Sequence, residues 1–150
     1  MGAHPWSYFV PYQENIPAAL EALRKQEFQA GRFYQPPEVQ PGFFGRLLGR
    51  PPRKPDPPRN IPEAIKLTGA TGTRSILDME RISDTPDYGV VSPVPASELR
   101  RLLGTDQPTR EKIERCEKLY EDLDRGKGIY TITYRQGKPD GIFFAGYSYD

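Results

Sequence analysis

Residues 129–134 (IYTITY) and 142–149 (IFFAGYSY), separated by Gln136, Gly137, Lys138, Pro139, Asp140 and Gly141, decide how this chain is read. Two runs rich in β-branched and aromatic residues around a Gly- and Pro-containing loop predict a β-hairpin. In an extended strand alternate residues face opposite sides, so Tyr130, Ile132 and Tyr134 share one face while Ile129, Thr131 and Thr133 share the other. Tyrosine offers a large apolar area with a polar tip, which makes Tyr130, Tyr134, Tyr147 and Tyr149 candidates for partner contact. Cross-strand packing is the competing use of the same rings.

Working back from the hairpin, apolar residues Ile113, Cys116, Leu119, Tyr120 and Leu123 recur at helical spacing between Pro108 and Gly126, and a shorter helix is expected over 96–103, stopped by Gly104. Residues 74–79 (RSILDM) and 88–94 read as strands. Asn60 and Glu63 have capping-box spacing, so a helix starts there and ends at Gly69. Nearer the start, 6–12 reads as an edge strand because Pro11 would interrupt a central ladder. Asn15 then caps a helix carrying Ile16, Leu20, Leu23 and Phe28, with Gly31 as its stop. The expected order is β α, long loop, α β β α α β β. That is one α+β domain over 1–150, an antiparallel-rich sheet with helices packed on one face.

Acidic and basic side chains nearly cancel, 20 against 21, so no overall field draws the chain to nucleic acid or to an anionic membrane. With one cysteine there is no internal disulfide, and Cys116, placed in a helical pattern, suits a buried thiol better than a nucleophile. The single histidine, His4, stands too near the terminus to serve as a base, and one His with one Cys makes no zinc set. No cofactor fingerprint is present. The opening residues lack a basic region followed by an apolar one, Trp6 stands where a myristoylation signal needs Ser or Thr, and no apolar run is long enough to span a bilayer. A cytoplasmic protein without membrane attachment is the expectation.

Composition changes over about 35–60, which holds eight prolines and an apolar island of Phe43, Phe44, Leu47 and Leu48. Proline lacks an amide donor and biases its predecessor away from helix, so this is an extended excursion, a functional loop or an ordered lasso over the surface. It is also basic: Arg46, Arg50, Arg53, Lys54 and Arg59 face only Asp56 between 46 and 59. Phe43, Phe44, Arg46, Arg50, Arg53 and Lys54 are therefore candidate contact residues. Three uses stay open: a solvated tether, contact with another protein, or contact with single-stranded nucleic acid, the last disfavoured by the balanced charge.

Two further places could carry chemistry. The turn Gly69, Ala70, Thr71, Gly72, Thr73, Arg74 superficially suits a phosphate but leads out of a helix rather than into one, unlike a Walker loop. Arg74, Asp78 and Arg81 lie close in sequence among other charges and form a candidate carboxylate and arginine site for a small enzyme.

Residues 4–12 (HPWSYFVPY), 72–79 (GTRSILDM) and 128–150, ending FAGYSYD, resemble those of a family of small uncharacterised bacterial proteins. The resemblance spans both ends and the middle but not the Pro-rich excursion. It implies a cytoplasmic bacterial protein and assigns no catalytic residue. The leading expectation is a protein-binding protein, accessory or immunity-like, contacting its partner through the Pro-rich arm and the aromatic hairpin.

Overall fold

The computed structural model describes residues 3–150; Met1 and Gly2, read above for targeting signals, lie outside the described residues. The hairpin forms from β4 (Gly128–Arg135) and β5 (Lys138–Tyr147), antiparallel, with Tyr130 opposite Phe144. Its turn is tighter than the six-residue loop expected. Gln136 and Gly137 both take positive φ, 51° and 73°, as a two-residue type I′ turn requires, and the strands run on through Lys138 and Pro139. A bulge between Thr133 and Tyr134 absorbs the mismatch.

Around this hairpin the sheet is mixed. β1 (Pro5–Pro11) pairs antiparallel with β5 and is an edge, as its proline implied. On the other side β3 (Val90–Pro93) pairs parallel with β4, and the two-residue β2 (Arg81–Ile82) pairs parallel with β3, giving the order β1-β5-β4-β3-β2.

Apolar clusters lie on both faces, which overturns the expectation of helices on one face. Consecutive residues of β5 divide between them. Ile142 and Phe144 pack with Trp6, Ile76, Met79, Val91 and with Ala19, Leu20 and Leu23 of α1 (Ile16–Gln29). Phe143 and Ala145 pack with Ile129, Leu119, Leu99 of α4 (Ala96–Leu103) and Ile113 of α5 (Arg110–Glu114). A strand covered on both sides reads as a continuous apolar run rather than an alternating one, which is what residues 142–145 are.

Helix starts follow their caps. Asn15 Oδ1 accepts the Ala18 amide at 3.1 Å. Asn60 Oδ1 accepts the Glu63 amide at 2.9 Å to open α3 (Ile61–Thr68), and the Glu63 carboxylate accepts the Arg59 amide, closing the box one residue early.

Two of the expected elements take another form, and α2 (Phe43–Leu47) and β2 were not among those expected. Residues 74–79 are not a strand: Ser75 Oγ accepts the Leu77 amide and Asp78 Oδ1 accepts the Thr73 amide, and these local bonds wind Ile76–Asp78 into a 3₁₀ turn. The helix expected over 108–126 breaks after Glu114 into α5 and a 3₁₀ turn at Glu117–Leu119, with Cys116 at φ −119°, ψ 82°. The same apolar residues still reach the sheet, and Tyr120 lies against Phe143 and Tyr147; short helices are marginal by themselves, so tertiary contacts set the path.

Candidate partner-binding surface

The Pro-rich stretch leaves the body after Tyr34, whose amide donates to the Thr73 carbonyl at 2.8 Å, and returns at α3. Between these points its two legs are tied once, by an antiparallel bridge in which Val39 and Arg53 exchange backbone bonds of 2.9 and 3.1 Å. At the tip stands α2 (Phe43–Leu47), a single turn entered through Gly42 and left through Gly49, which takes φ 67°. The excursion is thus an arm with defined backbone pairing.

No residue of α2 is buried. Phe43, Phe44, Leu47 and Leu48 are 78, 76, 73 and 70% exposed, and positions i, i+1, i+4 and i+5 of a helical turn make one stripe. The two phenyl rings touch only each other within the aromatic set, edge to face at 5.7 Å. Arg46 Nε donates to the Pro41 carbonyl at 3.2 Å, which holds its guanidinium beside the turn. Behind the tip, the two legs enclose an open cleft of about 780 Å³ with proline walls, rimmed by Arg50, Arg53 and Lys54. Its one carboxylate, Asp56, meets Arg53 at 3.9 Å, with both side chains more than four-fifths exposed. Of the six arm residues singled out in the sequence, Phe43, Phe44 and Arg46 lie on α2, while Arg50, Arg53 and Lys54 line the cleft. Leu47 and Leu48 complete the stripe; their helical spacing from Phe43 and Phe44 was the available signal.

The hairpin tyrosines do not join them or one another. Tyr130 sits half-buried 6.2 Å from Phe144, on the α1 face. Its hydroxyl is pushed up first by burial and then by the Asp84 charge. Tyr147 stands on the opposite face, 6.5 Å from Tyr120. Tyr134 is half-buried at the bulge, its amide donating to the Pro108 carbonyl. Tyr149 stacks on the exposed Tyr88 at 6.4 Å and fills the space over Gly126, where a Cβ would lie 2.5 Å from its ring.

The side chains of the candidate enzyme residues find separate partners. Asp78 is 3% exposed; burial raises its carboxyl above the ordinary value, against the lowering effect of its bonds from Thr73, and the Asp150 charge adds to the rise. Its Oδ2 has no hydrogen-bond partner among the described residues and lies against Gly72, where a Cβ would stand 2.8 Å away. Arg74, at φ 54°, also lowers the Asp78 carboxyl through a bond from its backbone, while its guanidinium pairs with Asp150 at 2.8 Å and stacks 4.3 Å from the Tyr34 ring. Burial alone would raise the Asp150 carboxyl, but bonds from the Ser148 hydroxyl, the His4 amide and Arg74 hold it below the ordinary value. Arg81 is exposed on β2. Arg74 and Asp150 thus link His4 to Tyr34 at the root of the arm.

A second concavity of about 470 Å³ lies between β3 and α4, with Asp84 and Asp122 at its rim and Arg101 bonded to Glu98. No group of three His, Cys, Asp or Glu among the described residues is placed to hold a metal ion, and no described helix is long and apolar enough to cross a membrane. Comparison with models of known protein families, with curated proteins and with solved structures matches none of them, so the surface is read from its own geometry.

Proposed function

We propose that this chain is an interaction protein, accessory or immunity-like, that docks onto a cytoplasmic partner protein by seating the α2 stripe in an apolar groove. One observation carries the reading: four large apolar side chains on one side of a single turn, all at least 70% exposed, at the end of an arm with paired legs. A solvated tether gains nothing from such a stripe, whereas covering it contributes about 1.5–3 kcal/mol per side chain before ordering costs. The flanking cations favour a groove with an acidic rim.

The test begins with a tagged full-length protein and a Phe43→Ser/Leu47→Ser variant, each used to capture partners from bacterial lysate and read by mass spectrometry. A protein retained only by the wild type is then purified and titrated calorimetrically. A stoichiometric complex that the double variant weakens at least about tenfold supports the reading. Equal binding by both forms overturns it. Binding of wild type to a single-stranded oligonucleotide with a steep loss in salt, and no binary protein complex, would assign the arm to nucleic acid instead.

A further inference from the structure

We infer that the cleft between the legs of the arm receives a carboxylate-bearing, extended segment of the partner, so that recognition has two parts, an apolar anchor and an acidic strand. This rests on the docking role proposed above for α2 and adds the chemistry of what docks.

The cleft is built rather than incidental. The Val39–Arg53 bridge fixes the spacing of its walls, and Pro41, Pro51, Pro52 and Pro55 stiffen them, since each proline holds its own φ. An extended guest therefore meets a preorganised channel and the arm loses little further freedom on binding. The charge is one-sided: Arg50, Arg53 and Lys54 against Asp56 alone. The Arg53–Asp56 contact is long and solvated, so an incoming carboxylate can replace it at small cost. Arginine supplies a planar fork that takes a carboxylate through two parallel bonds. Gly42 and Arg50 line the cleft and bracket the apolar tip in the chain, which puts the cleft next to the anchor, with its cations on the leg that follows the tip. A partner segment fitting both parts carries Asp or Glu beside the groove that takes Phe43 and Leu47.

The experiment uses the intact chain and two fluorescein-labelled peptides, one a short extended sequence of alternating Glu and Trp, the other with each Glu replaced by Gln, titrated by fluorescence anisotropy in a phosphate-free buffer. The acidic peptide is expected to bind about tenfold or more tightly than its amide counterpart. That difference should vanish in Arg50→Glu/Arg53→Glu and shrink as salt rises. Both side chains are exposed, so the variant is expected to fold; near- and far-ultraviolet circular dichroism matching wild type verifies this, and Arg50→Gln/Arg53→Gln gives a second, milder version. Equal binding of the two peptides, failure of both to bind, or full binding of the acidic peptide by the Glu variant each overturns the inference. So does tighter binding of an oligonucleotide or of anionic vesicles at the same cations. The docking reading is refuted separately, by partner binding that ignores Phe43→Ser/Leu47→Ser. Dependence of the partner complex on that pair, with peptides that do not discriminate, removes the acidic strand and leaves the anchor.

Discussion

Replacing Gly146 by alanine tests how the sheet closes. Gly146 lies in β5 opposite Trp6 on one side and Gly128 on the other. A Cβ there would stand 2.4 Å from Trp6 Cζ2 and 2.5 Å from the Lys127 carbonyl oxygen. Trp6 is buried and Lys127 contributes backbone, so neither swings aside. Overpacking of this severity costs about 3 kcal/mol. With a urea dependence of about 2 kcal/mol per molar, the unfolding midpoint falls by about 1.5 M. The assay is urea denaturation followed by the emission of Trp6, the single tryptophan. Gly42→Ala is the control, since a Cβ at Gly42 meets nothing within 4 Å and α2 belongs to neither apolar cluster. A Gly146→Ala midpoint unchanged from wild type would refute the close approach of the Trp6 ring and the Lys127 carbonyl to β5.

Asp78 and Asp150 should tilt stability with pH in opposite senses. A raised carboxyl in the folded state makes stability fall as pH climbs from the unfolded value through the folded one, so Asp78→Asn removes that falling limb. A lowered carboxyl gives stability that is present above the unfolded value and lost as pH falls through the folded one; Asp150→Asn removes it, read from urea midpoints across the acid range. Arg32→Ala should destabilise more than Glu27→Gln, because Glu27 is buried with both oxygens accepting from Arg32 at 2.8 and 2.9 Å, and removing the arginine strands a buried charge; thermal melts decide the order. Phe43→Ser/Leu47→Ser should shift unfolding by less than about 0.5 kcal/mol, as surface changes away from any core do. Tyr130→Ala and Tyr147→Ala should lower the melting temperature while leaving partner affinity intact, since each ring packs on its own sheet face; affinity loss without a stability loss would return the hairpin to the interface.

The hairpin, the edge strand and the capped helices were legible because local chemistry determines them: β-branched runs, a proline, Asn caps, Gly stops. The parallel pairs were not, because nothing within residues 88–94 states that both 81–82 and the hairpin lie beside them; the first pair is joined through 83–89 and the second through the crossover that carries α4 and α5. The run Ile142, Phe143, Phe144, Ala145 did carry a hint that both faces are covered, and its weight was lost to the expectation of a two-layer domain. Residues 74–79 misled for a different reason. Their β-branched and apolar content suits a strand, but Ser75 and Asp78 reach back to nearby amides and win locally. Composition marks the arm, whose residues divide between α2 and the cleft; sequence proximity marks Arg74, Asp78 and Arg81, of which Arg74 and Asp78 stay neighbours while the Arg74 guanidinium goes to Asp150 and Arg81 is exposed on β2.

What separates the arm from the rest of the molecule is how its apolar residues are used. Within the body, adjacent phenylalanines at 143 and 144 go to opposite sides of a strand and both vanish into cores. At the arm's tip, adjacent phenylalanines at 43 and 44 lie on one side of a turn and both stay in solvent. Neither cluster draws on them, so stability places no demand on their identity, and an exposed apolar stripe of this kind is a solubility liability that folding does not offset. The cations beside it answer that liability: Arg46, Arg50, Arg53 and Lys54 keep the tip hydrated and repel a second copy of the same arm, while attracting a surface of opposite charge. An apolar anchor set among like charges disfavours self-association and favours an acidic surface, so the occupant proposed for the arm is another protein rather than a second copy of this chain.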